Sequence, residues 1–109
     1  MAKFMFLYKG PASDMNDLSE DQVNAIMDGW NRWMDKVGDA LVDVGHPMDN
    51  SASVVDDGSR GTAEQISGYS IVQADDLQSA IKLSDKHPFL SDGKGQFAID
   101  IFELLPVPM

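Results

Sequence analysis

Two histidines, two tyrosines and one arginine are the residues of this chain that could take part in chemistry or in ligand binding. His46 and His87 are its only histidines, and imidazole is the side chain that changes charge closest to neutral pH. Tyr8 and Tyr69 offer hydroxyl groups that both donate and accept hydrogen bonds. Arg60 lies in a turn-rich segment, where a guanidinium could contact an anion. No catalytic motif of recognised spacing accompanies these residues, so they predict a pocket without a named reaction.

The two histidines each allow more than one interpretation. His87 precedes Pro88 at the predicted end of a helix, where it could interact with the helix dipole or act as a general acid or base at a pocket mouth. His46 also follows a predicted helix end. We expect the two residues at opposite ends of the protomer, which disfavours a metal site that they would share.

Metal and thiol chemistry have little support in the sequence. The chain has no cysteine, which excludes disulfides, thiolate metal sites and thiol nucleophiles. The cluster of Asp14, Asn16, Asp17 and Glu20 lacks the glycine and the terminal glutamate of an EF-hand loop. We therefore expect no metal and no cofactor.

Composition excludes several classes of partner. The formal net charge of −10, from 18 acidic and 8 basic residues, opposes binding to a nucleic-acid backbone. No apolar run approaches the roughly 18 residues that would span a membrane, and the opening MAKFMFLYKG alternates instead of forming a signal sequence. At 109 residues, we expect one domain over residues 1–109, in the cytoplasm and without a membrane partner.

Hydrophobic patterns predict four strands and two helices that would position these side chains. The strands are expected at Lys3–Lys9, Ser51–Val55, Ile66–Val72 and Phe97–Leu105. The first helix begins at the N-cap Ser19, which forms a capping box with Gln22, and its apolar spacing continues to Leu41 before a stop at Gly45. The second helix begins at Asp75 or Asp76 and stops at His87 and Pro88.

The order β-α-β-β-α-β predicts an α+β, ferredoxin-like fold with a four-stranded antiparallel sheet. Its first and third strands would be central, with both helices on one face. The first strand is apolar on both of its sides, so the uncovered face would expose an apolar patch. We therefore expect a homodimer that packs sheet to sheet, with a pocket in or beside the interface.

Several short motifs, taken in order, resemble a known family. They are the opening KFMFLYKG, the segment LVDVG, Asp57-Gly58, Gly68-Tyr69, Asp75-Asp76-Leu77 and the closing stretch from Ile99 to Pro106. In this order and spacing the chain resembles the YCII-related proteins, and among them the DGPF-domain branch. The resemblance implies a ferredoxin-like fold, a dimeric α/β barrel and a pocket between sheet and helices.

Two features depart from that family. The branch is named for Asp-Gly-Pro-Phe, whereas this chain has Asp57-Gly58-Ser59-Arg60. The resemblance also implies a His–Asp pair with the histidine near the start of the first helix, where this chain reads DMNDLSEDQ and has no histidine. The family's dyad is therefore not carried over to this sequence.

Three hypotheses of function follow. The first is a small homodimer that binds a small organic molecule in a pocket lined by Tyr8, Tyr69, His87 and Arg60. The second is a lyase or isomerase acting on a small anionic, lactone-like compound, with His87 as proton shuttle and Arg60 holding a carboxylate. A carboxylate within hydrogen-bond reach of His87 would favour this enzyme, and a solvent-facing His87 would favour the binding protein. The third is a structural or regulatory module, which would have no enclosed cavity.

Overall fold

A four-stranded antiparallel sheet forms the centre of this protein in a computed structural model, which describes residues 1–10, 18–90, 93 and 95–107. The elements are β1 (Ala2–Lys9), α1 (Glu20–Val37), β2 (Leu41–Asp43), β3 (Ser53–Val54), β4 (Arg60–Gly61), β5 (Ile66–Ala74), α2 (Leu77–Leu83) and β6 (Ala98–Leu104). Short 3₁₀ turns occupy Gly38–Ala40 and Pro88–Leu90. Three members of the acidic cluster, Asp14, Asn16 and Asp17, lie outside the described residues.

The strand order β2-β5-β1-β6 confirms the predicted ferredoxin-like, α+β fold. β1 lies between β5 and β6, and each pairing is antiparallel. Phe4, Phe6 and Tyr8 on one side of β1 are buried. The residues between them in the sequence point to the opposite face of the sheet, because side chains alternate along a strand. Two apolar sides therefore correctly predicted a central strand.

Helix α1 begins as predicted and ends earlier. The Gln22 backbone N–H donates to Ser19 Oγ at 3.2 Å, and the Ser19 N–H donates to Gln22 Oε1 at 2.9 Å. The helix ends at Val37 because Gly38 takes a left-handed φ of +53° and its N–H donates to the Met34 carbonyl. The prediction that the helix continues past Leu41 was wrong, although the apolar spacing fitted.

The edge strand of the main sheet is also not the predicted one. Leu41 pairs with Val72 of β5, and the chain stays beside β5 as far as Met48, whose N–H donates to the Ser67 carbonyl at 2.9 Å. This edge of β5 is therefore occupied. The predicted strand Ser51–Val55 instead contributes β3 to a separate two-stranded sheet with β4.

Helix α2 is short and starts at the second of the two predicted caps. Asp76 Oδ1 accepts a hydrogen bond from the Ser79 N–H at 2.8 Å. The helix ends at Leu83, before the predicted stop at His87. Ala80 is fully buried, whereas Leu77 and Ile81 on the same helix are 46% and 43% exposed.

The hydrophobic core lies between the sheet and the two helices. Its buried members are Phe4, Phe6, Tyr8, Trp33, Val37, Val72, Ala74 and Ala80. The Trp33 indole N–H donates to the Leu83 carbonyl at 2.8 Å, which links the two helices. Gly29 of α1 packs closely against Pro88, in the turn after α2. The core therefore brings the segment after α2 onto α1.

The opposite face of the sheet carries no helix of the described residues. The register places Met5 in one row with Ile71 and Phe102 on this open face. Phe102 is 53% exposed. Asp100 lies on the same face of the edge strand β6, and Lys9 Nζ contacts it at 3.2 Å. No described helix is long and apolar enough to cross a membrane.

Candidate functional site

A cavity of about 330 Å³ lies between α1, the edge of β5 and the turn after α2. Its lining is dominated by aromatic and aliphatic side chains, and consists of Tyr8, Met27, Trp30, Val44, Gly45, His46, Pro47, Ser67, Gly68, Tyr69 and Phe89. A cavity of this volume suits a small organic molecule. It lies on the helix-covered side of the sheet, where the family resemblance implies a pocket, and not on the open face through which dimer pairing was expected.

Gly45 shapes the wall at the sheet edge. Its φ is +79°, and a β-carbon at this position would come within 1.8 Å of the Tyr69 carbonyl oxygen. Only glycine combines this conformation with this close approach. The adjacent Tyr69 N–H donates to the His46 carbonyl at 3.3 Å. The backbone of the wall is therefore fixed against β5.

His87 lies behind the cavity, with 1% of its surface exposed. Its Nδ1 accepts a hydrogen bond from the Phe89 N–H at 3.0 Å. Because an accepting Nδ1 carries no proton, this contact assigns the proton of the neutral ring to Nε2. Nε2 lies 3.1 Å from the Tyr8 hydroxyl oxygen. His87 therefore donates to Tyr8 and has no free lone pair in this arrangement.

The hydrogen-bond network continues from Tyr8 across the sheet. The Tyr8 hydroxyl donates to Ser70 Oγ at 2.6 Å, and the Ser70 hydroxyl donates to the Val44 carbonyl at 2.7 Å. Each of the three side chains is almost completely buried. We call the chain of His87, Tyr8, Ser70 and the Val44 carbonyl the buried network. It joins the segment after α2 to the cavity wall beside β2.

Burial keeps the buried network uncharged at neutral pH. It lowers the pKa of His87 from 6.5 to about 4, because three aromatic neighbours replace the water that would solvate an imidazolium. Burial raises the pKa of Tyr8 to about 12, and the hydrogen bond to Ser70 opposes part of that rise. Neither residue has the near-neutral pKa that suits a general base or acid.

His46 is on the cavity wall, close to Tyr69, with 6.2 Å between the two ring centroids. The prediction that His46 and His87 lie at opposite ends was wrong, because both lie near Tyr8. His87 contacts the Tyr8 hydroxyl, and His46 precedes Pro47, which pairs with the strand partner of Tyr8. Gly68 pairs with Tyr8 on one side and with Pro47 on the other. The error follows from the misplaced edge strand, which put His46 at the end of a longer helix.

Arg60 is not brought to the cavity. It lies on β4, where it is exposed, and β4 belongs to the small two-stranded sheet. Of the four predicted site residues, Tyr8 and Tyr69 line the cavity and His87 contacts two lining residues, Tyr8 and Phe89. The arginine was included on charge alone, and its sequence position gave no information about distance.

A family model for the YCII-related domain matches residues 2–103. The chain belongs to the YCII-related family. No curated protein matches the chain. In this YCII-related domain Asp57, Gly58 and Ser59 lie in the turn of the small hairpin, Arg60 begins β4, and Asp57 Oδ1 accepts from the Ser59 N–H at 2.8 Å.

Several site residues of this YCII-related domain were not singled out as ligand contacts from the sequence. Trp30 lies on α1, and its ring lies edge-on to Tyr8 with 5.5 Å between the ring centroids. Phe89 lies 5.1 Å from Tyr8, between the ring centroids. Ser70 had one usable signal, since it falls on the buried side of β5 between Gly68 and Val72, where a hydroxyl needs a partner.

Metal binding has no support in the geometry of the described residues. Within residues 1–10, 18–90, 93 and 95–107, no group of three histidine, aspartate or glutamate side chains could hold a metal ion. His46 and Tyr69 are the only titratable side chains on the cavity wall besides Tyr8, within that part of the chain.

Proposed function

We propose that this protein binds a small organic molecule in the cavity between α1 and the edge of β5. The observation that carries the proposal is the cavity itself, about 330 Å³ with four aromatic side chains on its wall. Small-molecule sites are typically concave, mostly apolar and supplied with a few fixed polar groups.

The buried network supports this proposal because it fixes the wall. Tyr8 is 4% exposed, and its ring packs against Trp30, His87 and Phe89. Its hydroxyl is held on both sides by hydrogen bonds. A side chain held in this way loses little conformational entropy when a ligand contacts it, which favours binding.

The enzyme hypothesis has no observation of its own to favour it. A proton shuttle at His87 would need a lone pair or a proton facing the cavity, whereas both ring nitrogens are engaged within the protein. Its hydrogen-bond partner is a tyrosine hydroxyl and not a carboxylate. The ring is also buried and not solvent-facing, so the arrangement expected for a binding protein is absent as well, and the proposal depends on the cavity. Arg60, which would hold the carboxylate of the substrate, lies on a different sheet.

Ligand binding is tested with a thermal-shift screen of small organic compounds on the wild type and on two tryptophan variants. Met27→Trp fills the cavity, because Met27 is a lining residue on α1. Asn24→Trp adds the same side chain to an exposed position of the same helix and is the matched control. We expect some compounds to raise the unfolding midpoint of the wild type and of the control, and not that of Met27→Trp. Absence of any such compound would remove the support for this function.

We propose further that two copies pair through the open face. The central row of Met5, Ile71 and Phe102 is apolar, and isolated proteins rarely leave such a patch in water. The test is sedimentation equilibrium of the wild type, of Phe102→Glu and of Leu77→Glu, which places the same charge at an exposed site on α2. We expect Phe102→Glu alone to be monomeric. A monomeric wild type at micromolar concentration would contradict the pairing.

The cytoplasmic location predicted from the cysteine-free sequence stays a prediction. Cell fractionation of the native protein would check it, with a soluble enzyme of known compartment as the marker.

A further inference from the structure

We infer that the cavity selects an uncharged aromatic compound, and that His46 and Tyr69 contact the one polar group of that compound. This inference rests on the proposed function, since it names the ligand class of the same cavity. Three observations carry it: the polar groups of the inner wall are already paired, the wall carries no charged side chain, and two polar side chains remain at the sheet edge.

The inner wall of the cavity has little hydrogen-bonding capacity left. The Tyr8 hydroxyl donates to Ser70 and accepts from His87. The Ser67 hydroxyl donates to the Tyr8 carbonyl at 3.2 Å, and the Val44 carbonyl accepts from Ser70. Since these groups are satisfied within the protein, the part of a ligand that enters deepest gains from apolar and aromatic contact and not from hydrogen bonds.

Charge on the ligand is opposed by the composition of the wall. No lysine, arginine, aspartate or glutamate lines the cavity among the residues that the structure describes. Lys9, the nearest strand cation to Tyr8 in the sequence, contacts Glu64 at 3.1 Å and Asp100 at 3.2 Å. A carboxylate placed in this cavity would lose its hydration without gaining a countercharge, and the protein as a whole has a net charge of −10.

His46 and Tyr69 are the polar side chains that remain for a ligand. Both line the cavity, and neither side chain has a hydrogen-bond partner within the described part of the chain. The imidazole offers one donor and one acceptor, and the phenol hydroxyl offers both. The backbone of His46 is held by its carbonyl contact with the Tyr69 N–H and by the Pro47 and Gly68 bridge. These two side chains therefore project from a fixed segment.

The test uses four probes with one bicyclic ring system: naphthalene, 2-naphthol, 2-naphthoate and 2-naphthylmethylammonium. Their binding to the wild type is measured by saturation-transfer NMR and, where heat is detectable, by calorimetry at pH 7.5. We expect 2-naphthol to bind most tightly, naphthalene more weakly, and each charged probe at least tenfold more weakly than 2-naphthol. Equal or tighter binding of either charged probe would overturn the inference.

Three variants assign the polar contact. His46→Phe and Tyr69→Phe keep an aromatic ring and remove the hydrogen-bonding atoms, and Met48→Phe adds a ring to the same segment outside the cavity lining. We expect the first two variants each to weaken 2-naphthol by about fivefold, the loss typical of one hydrogen bond. Naphthalene affinity should change less than twofold in all three.

The outcomes separate this inference from the proposed function. Suppose that naphthalene and 2-naphthol bind in competition, and that Met27→Trp weakens both affinities while His46→Phe and Tyr69→Phe leave them unchanged. The cavity then binds ligands, and the assigned polar contact is wrong. If none of the four probes binds at millimolar concentration, the inferred ligand class is wrong, while a hit in the wider thermal-shift screen would leave the proposed function standing.

Discussion

His87 and Tyr8, which are 79 residues apart in the sequence, meet in the core with 3.1 Å between Nε2 and the hydroxyl oxygen. The Phe89 N–H fixes the direction of this hydrogen bond, since it occupies Nδ1 and leaves the proton on Nε2. The relationship makes His87 a donor that orients the Tyr8 hydroxyl. Its protonation state therefore matters to stability.

The free energy of unfolding should fall as the pH is lowered from 6.5 to about 4. The pKa of His87 is about 4 in the folded protein and about 6.5 in an unfolded chain. Between these values the unfolded state binds more protons, so acid favours unfolding, and above pH 6.5 the contribution is constant. The total loss is on the order of 3 kcal/mol. Urea unfolding at half-unit intervals of pH measures it.

The control for this pH dependence is a pair of glutamine variants. His87→Gln should be less stable than the wild type at pH 7.5 and should show a flatter dependence between pH 6.5 and 4.5. Asn24→Gln, at an exposed position of α1 that does not titrate, should keep the wild-type slope. The pKa values of Asp57 and Asp76 are lowered from 3.8. These two carboxyl groups therefore change the stability only at a pH below the range in which His87 acts. An unchanged slope in His87→Gln would contradict the assignment.

Removal of the Tyr8 hydroxyl should destabilise the protein by about 1–3 kcal/mol, because it leaves the buried His87 Nε2–H without an acceptor and removes the donor to Ser70 Oγ. Chemical unfolding of Tyr8→Phe, Ser70→Ala and the double variant measures the effect. Since both changes affect one network, we expect the double variant to lose less than the two single losses combined. Additive losses would show that the two hydroxyls act independently.

Replacement of Gly45 by alanine should destabilise the protein far more than replacement of Gly58. Both glycines have a positive φ, +79° and +89°, but only Gly45 faces a close neighbour, the Tyr69 carbonyl. Gly58→Ala therefore measures the conformational penalty alone, about 1 kcal/mol. We expect Gly45→Ala to lose at least 2 kcal/mol more and to weaken ligand binding. Similar melting temperatures for the two variants would contradict the close approach.

Replacement of Lys86 by glycine should stabilise the protein. Lys86 has a φ of +58°, a left-handed conformation that costs a residue with a β-carbon roughly 1 kcal/mol. Glycine removes that strain but also increases the conformational entropy of the unfolded chain, which opposes folding. The expected gain in stability is therefore below about 1 kcal/mol. Lys82→Gly, inside α2, should instead destabilise by about 1 kcal/mol. Thermal unfolding distinguishes the two directions.

The features of the sequence that predicted the fold are local. The two apolar sides of β1, the capping box at Ser19 and the cap at Asp76 are each written in a few adjacent residues, and each is found in the structure. Leu41 shows where local reasoning failed. It continues the helical spacing from Val37, yet the left-handed Gly38 turns the chain into an edge strand.

The candidate site depended on contacts between distant residues, which spacing could not supply. Tyr8 and Tyr69 were found because aromatic residues with hydroxyls are rare in this chain. The approach of His46 to Tyr69 required knowledge that the segment after β2 follows β5. Burial of His87 required knowledge that Trp30 and Trp33 lie against its ring, at 4.7 and 4.4 Å.

The buried network also has a mechanical consequence for the cavity. It connects the Val44 carbonyl, on the wall, to the Phe89 amide, in the turn after α2, through side chains of two central strands. Outward displacement of Val44 would break the last hydrogen bond of the series and release Ser70, then Tyr8, to reorient. The Phe89 amide and the Val44 carbonyl are therefore the two ends of one series of hydrogen bonds that spans the sheet.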